Sequence, residues 1–192
     1  MSDAILGADG RARCGWAGST PDYLAYHDEE WGVPLHGEQA LYERMTLEGF
    51  QSGLSWITIL RKRPAFRQAF ADFDPKVVAD FTEADIERLM ADAGIVRNRA
   101  KILATINNAN AVLALDGGLD ELLWSFAPAQ HRPPRNNSEV RASTEESVAM
   151  SKRLKKLGFG FVGPTTCYAM MQATGMVDDH LADCWRAGLS GR

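Results

Sequence analysis

The sequence predicts an all-α fold. Apolar residues recur at three- and four-residue spacing along most of the 192-residue chain, the period of a helix that buries one face. Alternation of β-branched and polar residues is scarce, and nothing indicates a parallel sheet. With 45% apolar and 24% charged residues, the chain can bury one sizeable core or two small lobes.

Composition also narrows the class of protein. No stretch approaches the roughly 18 apolar residues of a membrane span, and the first residues lack the basic start and apolar run of a secretory signal. Three widely spaced cysteines do not make a disulfide framework, so we expect a cytoplasmic protein whose thiols are free or bind a metal. The formal charge of −4 argues against coating nucleic acid through bulk charge but allows a local basic face.

We expect a monomer without membrane contacts. Residues 1–12 should form an N-terminal tail, disordered or locally packed, residues 13–187 a single domain, and residues 188–192 a C-terminal tail.

Caps and helix breakers predict the order of the helices. The run from Ser19 to Asp22 supplies a cap and a first-turn proline for a helix that carries Tyr23, Tyr26, His27 and Trp31. The next helix should extend from about Gly37 through Leu60, before residues 61–64 break it at a proline. Further helices are predicted at residues 65–70, from Asp74-Pro75, at 86–93 after a capping box at Thr82–Asp85, and at 97–115, 120–126, 143–157, 164–174 and 178–187, with 127–143 as the longest loop.

Residues 45–60 contain a single charge, Glu48, among apolar and small polar neighbours. A carboxylate is costly to bury without a partner, so the ordinary interpretation places Glu48 at the solvent edge of a core helix. The alternative is a ligand pocket with room for close backbone approach, neutral hydrogen-bonding groups and a flat stacking face. The residues that favour this alternative are Gly49 and Gly53, Gln51 and Ser52, and Trp56.

Two units of helix, glycine turn and helix carry flanking basic residues. The turn at Gly94 leads into Arg97, Arg99 and Lys101, and a basic stretch at residues 152–156 precedes the second turn. Backbone N–H groups at a glycine-rich helix start suit a phosphate, although glycine turns also occur for purely structural reasons. The positive charge, in an acidic chain, favours nucleic acid. The predicted DNA contacts are Gly158, Gly160, Gly163, Lys155 and Arg97, with Lys101 as a further phosphate contact.

Cysteines and histidines near the two termini form a possible metal site. His180 and Cys184 are four residues apart and would share one face of a helix, while Cys14 and His27 lie near the other terminus. Four such ligands would hold a structural zinc ion that ties the two ends together. Each residue could instead be packed in a core, since the spacing of Cys14 and His27 matches no common zinc finger.

Several motifs, in order, resemble the 3-methyladenine DNA glycosylase I family of bacterial alkylation-repair enzymes. The resemblance extends from Arg13 to about Cys184. The matching segments are residues 14–16, 23–34, 47–58, 92–97, 123–126 and 158–180. It implies a helix-hairpin-helix glycosylase fold with two helical lobes, double-stranded DNA containing 3-methyladenine as the substrate, and one structural zinc ion on Cys14, His27, His180 and Cys184.

The resemblance also implies roles for the pocket residues. A methylated, positively charged adenine is already a good leaving group, so the enzyme must mainly flip the base out and recognise it. Glu48 would accept from the exocyclic amine and oppose the charge, with the Tyr26 hydroxyl as its catalytic companion. Trp56 would stack on the base, and Trp16 and Tyr23 would complete an aromatic box.

Other positions have two interpretations. Leu54 is either the wedge that fills the gap in the base stack or a core leucine. Asp178 matches an aspartate that larger members of the superfamily use, but we favour a cap for the last helix. No lysine resembles a Schiff-base nucleophile, which predicts a monofunctional enzyme. A non-catalytic, zinc-stabilised DNA-binding module is the alternative.

Overall fold

The computed structural model describes residues 3–189, which are mostly helical. Nine α-helices and one short two-stranded sheet are assigned in this range. The strands are β1 (Ala4–Leu6) and β2 (Ala12–Cys14). The helices are α1 (Pro21–Glu29), α2 (Glu38–Gln51), α3 (Trp56–Ala69), α4 (Pro75–Ala79), α5 (Glu83–Ala91), α6 (Arg99–Leu113), α7 (Gly118–Trp124), α8 (Glu145–Lys156) and α9 (Pro164–Ala173), with 3-10 turns at Gly15–Ser19, Ala71–Phe73 and Asn137–Glu139.

The side-chain caps predicted at the N-termini of α1, α5 and α8 are present. The Thr20 hydroxyl accepts from the Tyr23 N–H at the start of α1, where Pro21 is the first helical residue. Thr82 and Asp85 form a reciprocal capping box at α5. Thr144 begins α8 in the same way. These helix starts were therefore predictable from short-range hydrogen bonding alone.

The N-terminal segment is a β-hairpin, so the all-α prediction is wrong for these residues. β1 pairs antiparallel with β2, with Ala4 opposite Cys14. The Arg13 guanidinium holds the hairpin by pairing with Asp9 at 2.6 Å and with Asp28 of α1 at 2.7 Å. Strands of three residues are too short to show a period in the sequence. From residue 3 onward the predicted tail is locally packed, and it fixes Cys14 beside α1, while residues 1 and 2 lie outside the described residues.

The predicted helix from Gly37 to Leu60 is in fact two helices. α2 ends at Gln51 because the turn that follows needs Gly53 in the left-handed region, with φ of +84°. α3 then continues through Pro64, where a break was predicted. The proline removes one backbone donor, but buried Phe66 and Ala69 keep the second half of α3 packed on the core.

The predicted helix at residues 178–187 is also wrong, since that segment consists of turns. Its backbone bonds to distant parts of the chain, with Trp185 N–H donating to Ala12 O and Ala182 N–H to Pro134 O. Asp178 accepts from His180 N–H at 3.3 Å and from Gly188 N–H at 2.6 Å. The carboxylate therefore caps a turn and not a helix.

The core is organised around α2. Nine of its fourteen residues are buried, and it packs against α3, α6, α7 and α9. The buried side chains form a large cluster shared by α2 to α9 and a small one of Cys14, Leu181 and Cys184. Over residues 3–189, helices that are both long and apolar enough to cross a membrane are absent.

Candidate base-binding pocket and metal cluster

A cavity of about 460 Å³ lies between α1, the C-terminal half of α2, the start of α3 and α9. This volume falls in the range of small-ligand pockets. All five side chains predicted to bind a base line it, together with Trp31, Gln51, Gln172 and Asp179. The five are Glu48, Tyr26, Trp56, Trp16 and Tyr23.

Aromatic rings form the walls of the cavity. Trp16 contacts Tyr23 at 5.5 Å and Tyr26 at 6.3 Å between ring centroids, and Tyr26 contacts Trp56 at 5.6 Å. The Tyr23 hydroxyl accepts from the Ile57 N–H at 3.0 Å, which ties α1 to the first turn of α3. Among the described residues, the buried indole N–H of Trp56 has no hydrogen-bond partner. These rings offer flat faces on which a planar ligand can stack. A positively charged ligand would also gain cation–π attraction.

Glu48 is the carboxylate of this cavity and is only 5% exposed. The solvent-edge interpretation is therefore wrong. Burial raises the pKa of Glu48 to about 7, against the opposing attraction of the Arg44 guanidinium one helical turn away. A group that titrates near neutrality, in an aromatic cavity, is suited to recognise a cation or to move a proton.

Arg44 is a site residue that the sequence analysis missed. Its guanidinium is buried, donates to the Tyr26 hydroxyl at 2.9 Å and lies 3.9 Å from the Glu48 carboxylate. The sequence did carry a signal, since an arginine four residues before a glutamate on one helix places both on the same face. In a helix of apolar neighbours, that spacing could have predicted the buried pair.

The two glycines of this stretch have different surroundings. A side chain at Gly49 would lie 3.4 Å from the Cβ atom of Phe161, in contact with the turn before α9. Gly53 lies in open space at the α2–α3 turn, in the left-handed conformation. The close approach of a ligand to its backbone therefore stays a prediction.

The predicted DNA contacts are exposed or partly exposed and lie on turns or near helix ends. Leu54 is 42% exposed on the α2–α3 turn, which rules out a core leucine. Lys155 is exposed near the end of α8, and Arg97 is exposed just before α6.

The turn between α8 and α9 is braced by asparagines of α6. Asn107 donates to Gly158 O at 2.6 Å, and Asn108 accepts from Gly160 N–H at 2.7 Å. Gly163 precedes α9 without a side-chain cap, which leaves the first N–H groups of that helix available.

Lys101 is not a phosphate contact. Its ammonium group donates to Phe50 O at 2.9 Å and to Ser52 O at 2.7 Å, where the last carbonyls of α2 need partners. Burial lowers its pKa. The side chain therefore closes the end of α2 and supports the turn that carries Leu54.

The four predicted metal ligands come together in one buried cluster, with ligand atoms within 4.8 Å of one another. His180 Nδ1 lies 3.3 Å from His27 Nε2, 3.7 Å from Cys184 Sγ and 3.8 Å from Cys14 Sγ. His27 Nε2 lies 3.4 Å from Cys184 Sγ. The cluster could bind a metal ion, although residues 180 and 184 meet through turns and not through the predicted helix.

Each ligand of the cluster is oriented by a second group. His27 contacts the Asp28 carboxylate at 2.8 Å through Nδ1, and His180 contacts Trp31 O at 3.1 Å through Nε2. The Leu181 N–H donates to Cys14 Sγ at 3.3 Å. Such partners fix the rings with one nitrogen directed at a common centre, as in protein metal sites.

A second carboxylate, Asp179, lines the cavity and was not singled out in the sequence. It accepts from the Tyr168 hydroxyl at 2.7 Å and from the Gln172 amide at 2.6 Å, and lies 3.3 Å from His131 Nε2. Its neighbour Asp178 faces the turn described above and not the cavity. Only the three-dimensional path of the turns decides which of the two aspartates faces inward.

Comparison with known proteins shows the family of this chain. The family model described as methyladenine glycosylase matches residues 16–187. The chain belongs to the methyladenine glycosylase family. A DNA-3-methyladenine glycosylase of Haemophilus influenzae is 48% identical over 179 residues, which cover 90% of this chain and 96% of that protein. DNA-3-methyladenine glycosylase 1 of Escherichia coli is 49% identical over 179 residues, or 90% of this chain and 95% of that protein.

Solved structures show the same architecture. A 3-methyladenine DNA glycosylase I from Staphylococcus aureus, whose structure addresses 3-methyladenine recognition, aligns with a TM-score of 0.86 at 37% identity. The alignment covers 91% of this chain and 96% of that one. A variant of a 3-methyladenine DNA glycosylase I in complex with 3-methyladenine aligns with the same TM-score over 91% of this chain and 97% of that one.

Proposed function

We propose that this protein is a DNA repair glycosylase that flips 3-methyladenine out of alkylated DNA and hydrolyses its N-glycosidic bond. The observation that carries the proposal is the buried carboxylate of Glu48 in an aromatic cavity, in a member of the methyladenine glycosylase family. The relatives named above are DNA-3-methyladenine glycosylases.

The chemistry requires few groups. Methylation at N3 places a positive charge on adenine, which weakens the glycosidic bond and makes the base a good leaving group. Glu48 accepts from the exocyclic amine and opposes this charge, while Trp56 stacks on the ring. Tyr26 supplies a hydroxyl at the same wall. Departure of the base leaves an oxocarbenium-like sugar that water attacks, and an abasic site is the product.

The discrimination between methylated and normal adenine follows from charge. In a poorly solvated cavity, a carboxylate interacts more strongly with a cation than it does in water, so a neutral purine gains less from Glu48. Aromatic faces act in the same direction, since their quadrupole attracts a cationic ring. The cavity therefore selects the lesion by charge as well as by shape.

Double-stranded DNA binds across the exposed turns around the cavity. Gly158, Gly160 and Gly163 form the turn of a helix-hairpin-helix unit made by α8 and α9, and the free N–H groups at the start of α9 hold a backbone phosphate. Lys155 and Arg97 add phosphate contacts. Leu54 enters the base stack where the damaged nucleotide leaves it.

A structural zinc ion is held by Cys14, His27, His180 and Cys184. Tetrahedral zinc with bonds of about 2.05 Å to nitrogen and 2.3 Å to sulfur needs a nitrogen–nitrogen distance of about 3.3 Å and nitrogen–sulfur distances of about 3.6 Å. The distances of 3.3 Å and 3.4–3.8 Å in the cluster fit this donor set. Four protein ligands leave no position for water, so the ion stabilises the fold and takes no part in the reaction.

The proposal includes a monofunctional, monomeric enzyme with two helical lobes. None of the lysines is placed to act as a Schiff-base nucleophile. Lys101, the buried lysine among the described residues, donates hydrogen bonds to two backbone carbonyl groups. Water is then the attacking group, and no covalent enzyme–DNA intermediate forms.

The test is release of free 3-methyladenine from methylated duplex DNA under single-turnover conditions. The wild type and Glu87→Gln, an exposed glutamate on α5, should release the base at equal rates. Glu48→Gln and Glu48→Ala should be at least about 100-fold slower, the usual scale for losing an essential polar group of this kind. A wild type that binds DNA but releases no base would reduce the protein to a binding module. A Glu48→Ala variant that releases the base as fast as the wild type would contradict the recognition role proposed for Glu48.

A further inference from the structure

Arg44 lies behind the wall of the cavity and contacts the groups that line it. Its Nη1 atom donates to the Tyr26 hydroxyl at 2.9 Å and lies 3.9 Å from Glu48 Oε1. The guanidinium carbon lies 5.5 Å from the centre of the Tyr26 ring and 5.3 Å from that of Trp56. Arg44 itself does not line the cavity, although these three neighbours do. It is therefore placed to act on a bound base only through them.

The contact with Tyr26 determines what its hydroxyl can do. A guanidinium group has donors and no acceptor, so the Tyr26 oxygen must accept from Arg44. The single hydrogen of the hydroxyl then has to point in another direction. Because Tyr26 is buried on one side and lines the cavity on the other, the cavity is the direction in which a partner for this hydrogen would arrive.

The contact with Arg44 favours the ionised form of Glu48. A carboxylate that is 5% exposed loses most of its hydration, and a cation at 3.9 Å compensates for part of that loss. Arg44 remains available for this purpose, because Glu30, its other acidic neighbour at 3.9 Å, is already held by both terminal nitrogens of Arg63. The groups that share a pocket or a contact with Glu48 are Arg44 on α2, Tyr26 on α1, Cys167 on α9, and Asp179, which lines the same cavity, while Glu30 contacts Arg44.

We propose that Arg44 is a positioning residue that stabilises the ionised form of Glu48 in the empty pocket and directs the Tyr26 hydroxyl toward the base. This inference rests on the proposed glycosylase function. Arg44 lies outside the cavity and acts on both recognition groups before the base arrives. The pocket would then spend less binding energy on removing a proton from Glu48 and on turning the hydroxyl.

The experiment compares the pH dependence of 3-methyladenine release by the wild type, Arg44→Met and Arg44→Lys. Methionine has a similar length and no charge, so the acidic limb of the pH profile should move upward by about one to three pH units. Release at pH 7 should fall by about tenfold or more and recover as the pH rises. Lysine keeps the charge, and Arg44→Lys should retain most of the acidic limb. Arg67→Met, which removes a surface pair with Glu43 of α2, is the control and should match the wild type.

The action on Tyr26 has a separate readout. Tyr26→Phe should slow release in the wild type but have a smaller effect in the Arg44→Met background, because the hydroxyl is no longer oriented there. Circular dichroism and thermal melting establish that each variant is folded, and Arg44→Lys carries the test if Arg44→Met does not fold.

Two failures can be told apart. A wild type without glycosylase activity ends the proposed function. An active wild type whose pH profile is unchanged in Arg44→Met, or in which Tyr26→Phe and Arg44→Met have fully additive effects, overturns the role of Arg44 alone. If Arg44→Met does not fold, the test rests on Arg44→Lys, which keeps the positive charge. A shift of its acidic limb by about one to three pH units, as expected for loss of the charge, would then overturn the role of Arg44.

Discussion

In the proposed function, the buried carboxylate of Glu48 determines how this pocket distinguishes ligands. Glu48 is buried on the most buried helix of the core, and Arg44 compensates for only part of its lost hydration, so its pKa lies at about 7. A cation that enters the cavity favours the ionised form, and a neutral base does not. Recognition of a cationic purine and ionisation of Glu48 are thus linked, since each favours the other.

This linkage predicts the pH dependence of base release. Glu48 must be ionised to oppose the charge on 3-methyladenine, and it takes up a proton as the pH falls through about 7. We therefore expect the second-order rate constant for release to decrease about tenfold for each pH unit below this value. Rates measured from pH 5.5 to 9 in one constant-ionic-strength buffer check this. A flat profile over that range would contradict the assignment of the acidic limb to Glu48.

The same raised pKa predicts that Glu48 destabilises the folded protein at neutral pH. The folded state holds a proton on Glu48 between about pH 4.5 and 7 that the unfolded state has lost, so the free energy of unfolding decreases as the pH rises through this window. Glu48→Gln removes the effect and should increase the free energy of unfolding by about 1–3 kcal/mol at pH 8. Urea unfolding at pH 8 and pH 5 measures the difference, which should largely vanish at pH 5. A destabilised variant at pH 8 would show that Arg44 more than compensates for the burial of Glu48.

At the scale of elements, the α2–α3 turn joins the cavity to the surface proposed to bind DNA. Lys101 closes the end of α2 through Phe50 O and Ser52 O, and Gly53 turns the chain so that Leu54 is exposed. α3 begins immediately afterwards with Trp56, a wall of the cavity. The proposed wedge, Leu54, and the proposed stacking ring, Trp56, are thus held on one short, braced segment.

This arrangement predicts that Leu54 matters for duplex substrates and not for stability. Leu54→Ala should slow release of 3-methyladenine from duplex DNA by roughly tenfold, because an alanine cannot fill the gap in the base stack. The free energy of unstacking one base step is only a few kcal/mol, which limits the size of the effect. Release from single-stranded DNA should change little, because no partner stack has to be opened. Leu113→Ala, a similarly exposed leucine at the end of α6, serves as the control on both substrates. Equal losses on the two substrates would argue against a wedge.

The elements that could be predicted from the sequence are those that local chemistry specifies. Threonine caps and apolar periodicity located α1, α5 and α8, and the four metal-cluster residues were found from their chemistry. The α2–α3 break was missed because a single glycine, Gly53, does not by itself distinguish a turn from a tolerated helix position, and the Lys101 bond that supports the turn comes from about fifty residues away. The last segment was missed because its backbone is held by Ala12 and Pro134, which no local pattern reveals. Arg44 was missed although its spacing from Glu48 was a signal, because an i,i+4 pair is more often exposed than buried.

For the whole molecule, the metal cluster connects the two ends of the chain to the wall of the pocket. Cys14 is the last residue of β2 and His27 lies on α1 beside Tyr26, while His180 and Cys184 belong to the C-terminal turns. Trp16 and Trp31 pack against the same cluster, with Trp16 5.2 Å from the His27 ring, and both also line the cavity. Loss of the cluster would therefore loosen the aromatic wall as well as the termini.

Metal removal should test this connection directly. The purified protein is expected to contain one zinc ion per chain, and Cys184→Ala should lose it. A cross-link that closes a loop of more than 100 residues contributes about 4–5 kcal/mol, so the variant should melt roughly 10 °C lower. Cys167→Ala is the matched control, because Cys167 is equally buried but lies outside the cluster, and it should keep its zinc. Metal analysis by mass spectrometry and thermal melting, each before and after chelation, provide the measurements. Zinc retained at full occupancy in Cys184→Ala, or a melting temperature that chelation leaves unchanged, would show that these four side chains do not hold a structural ion.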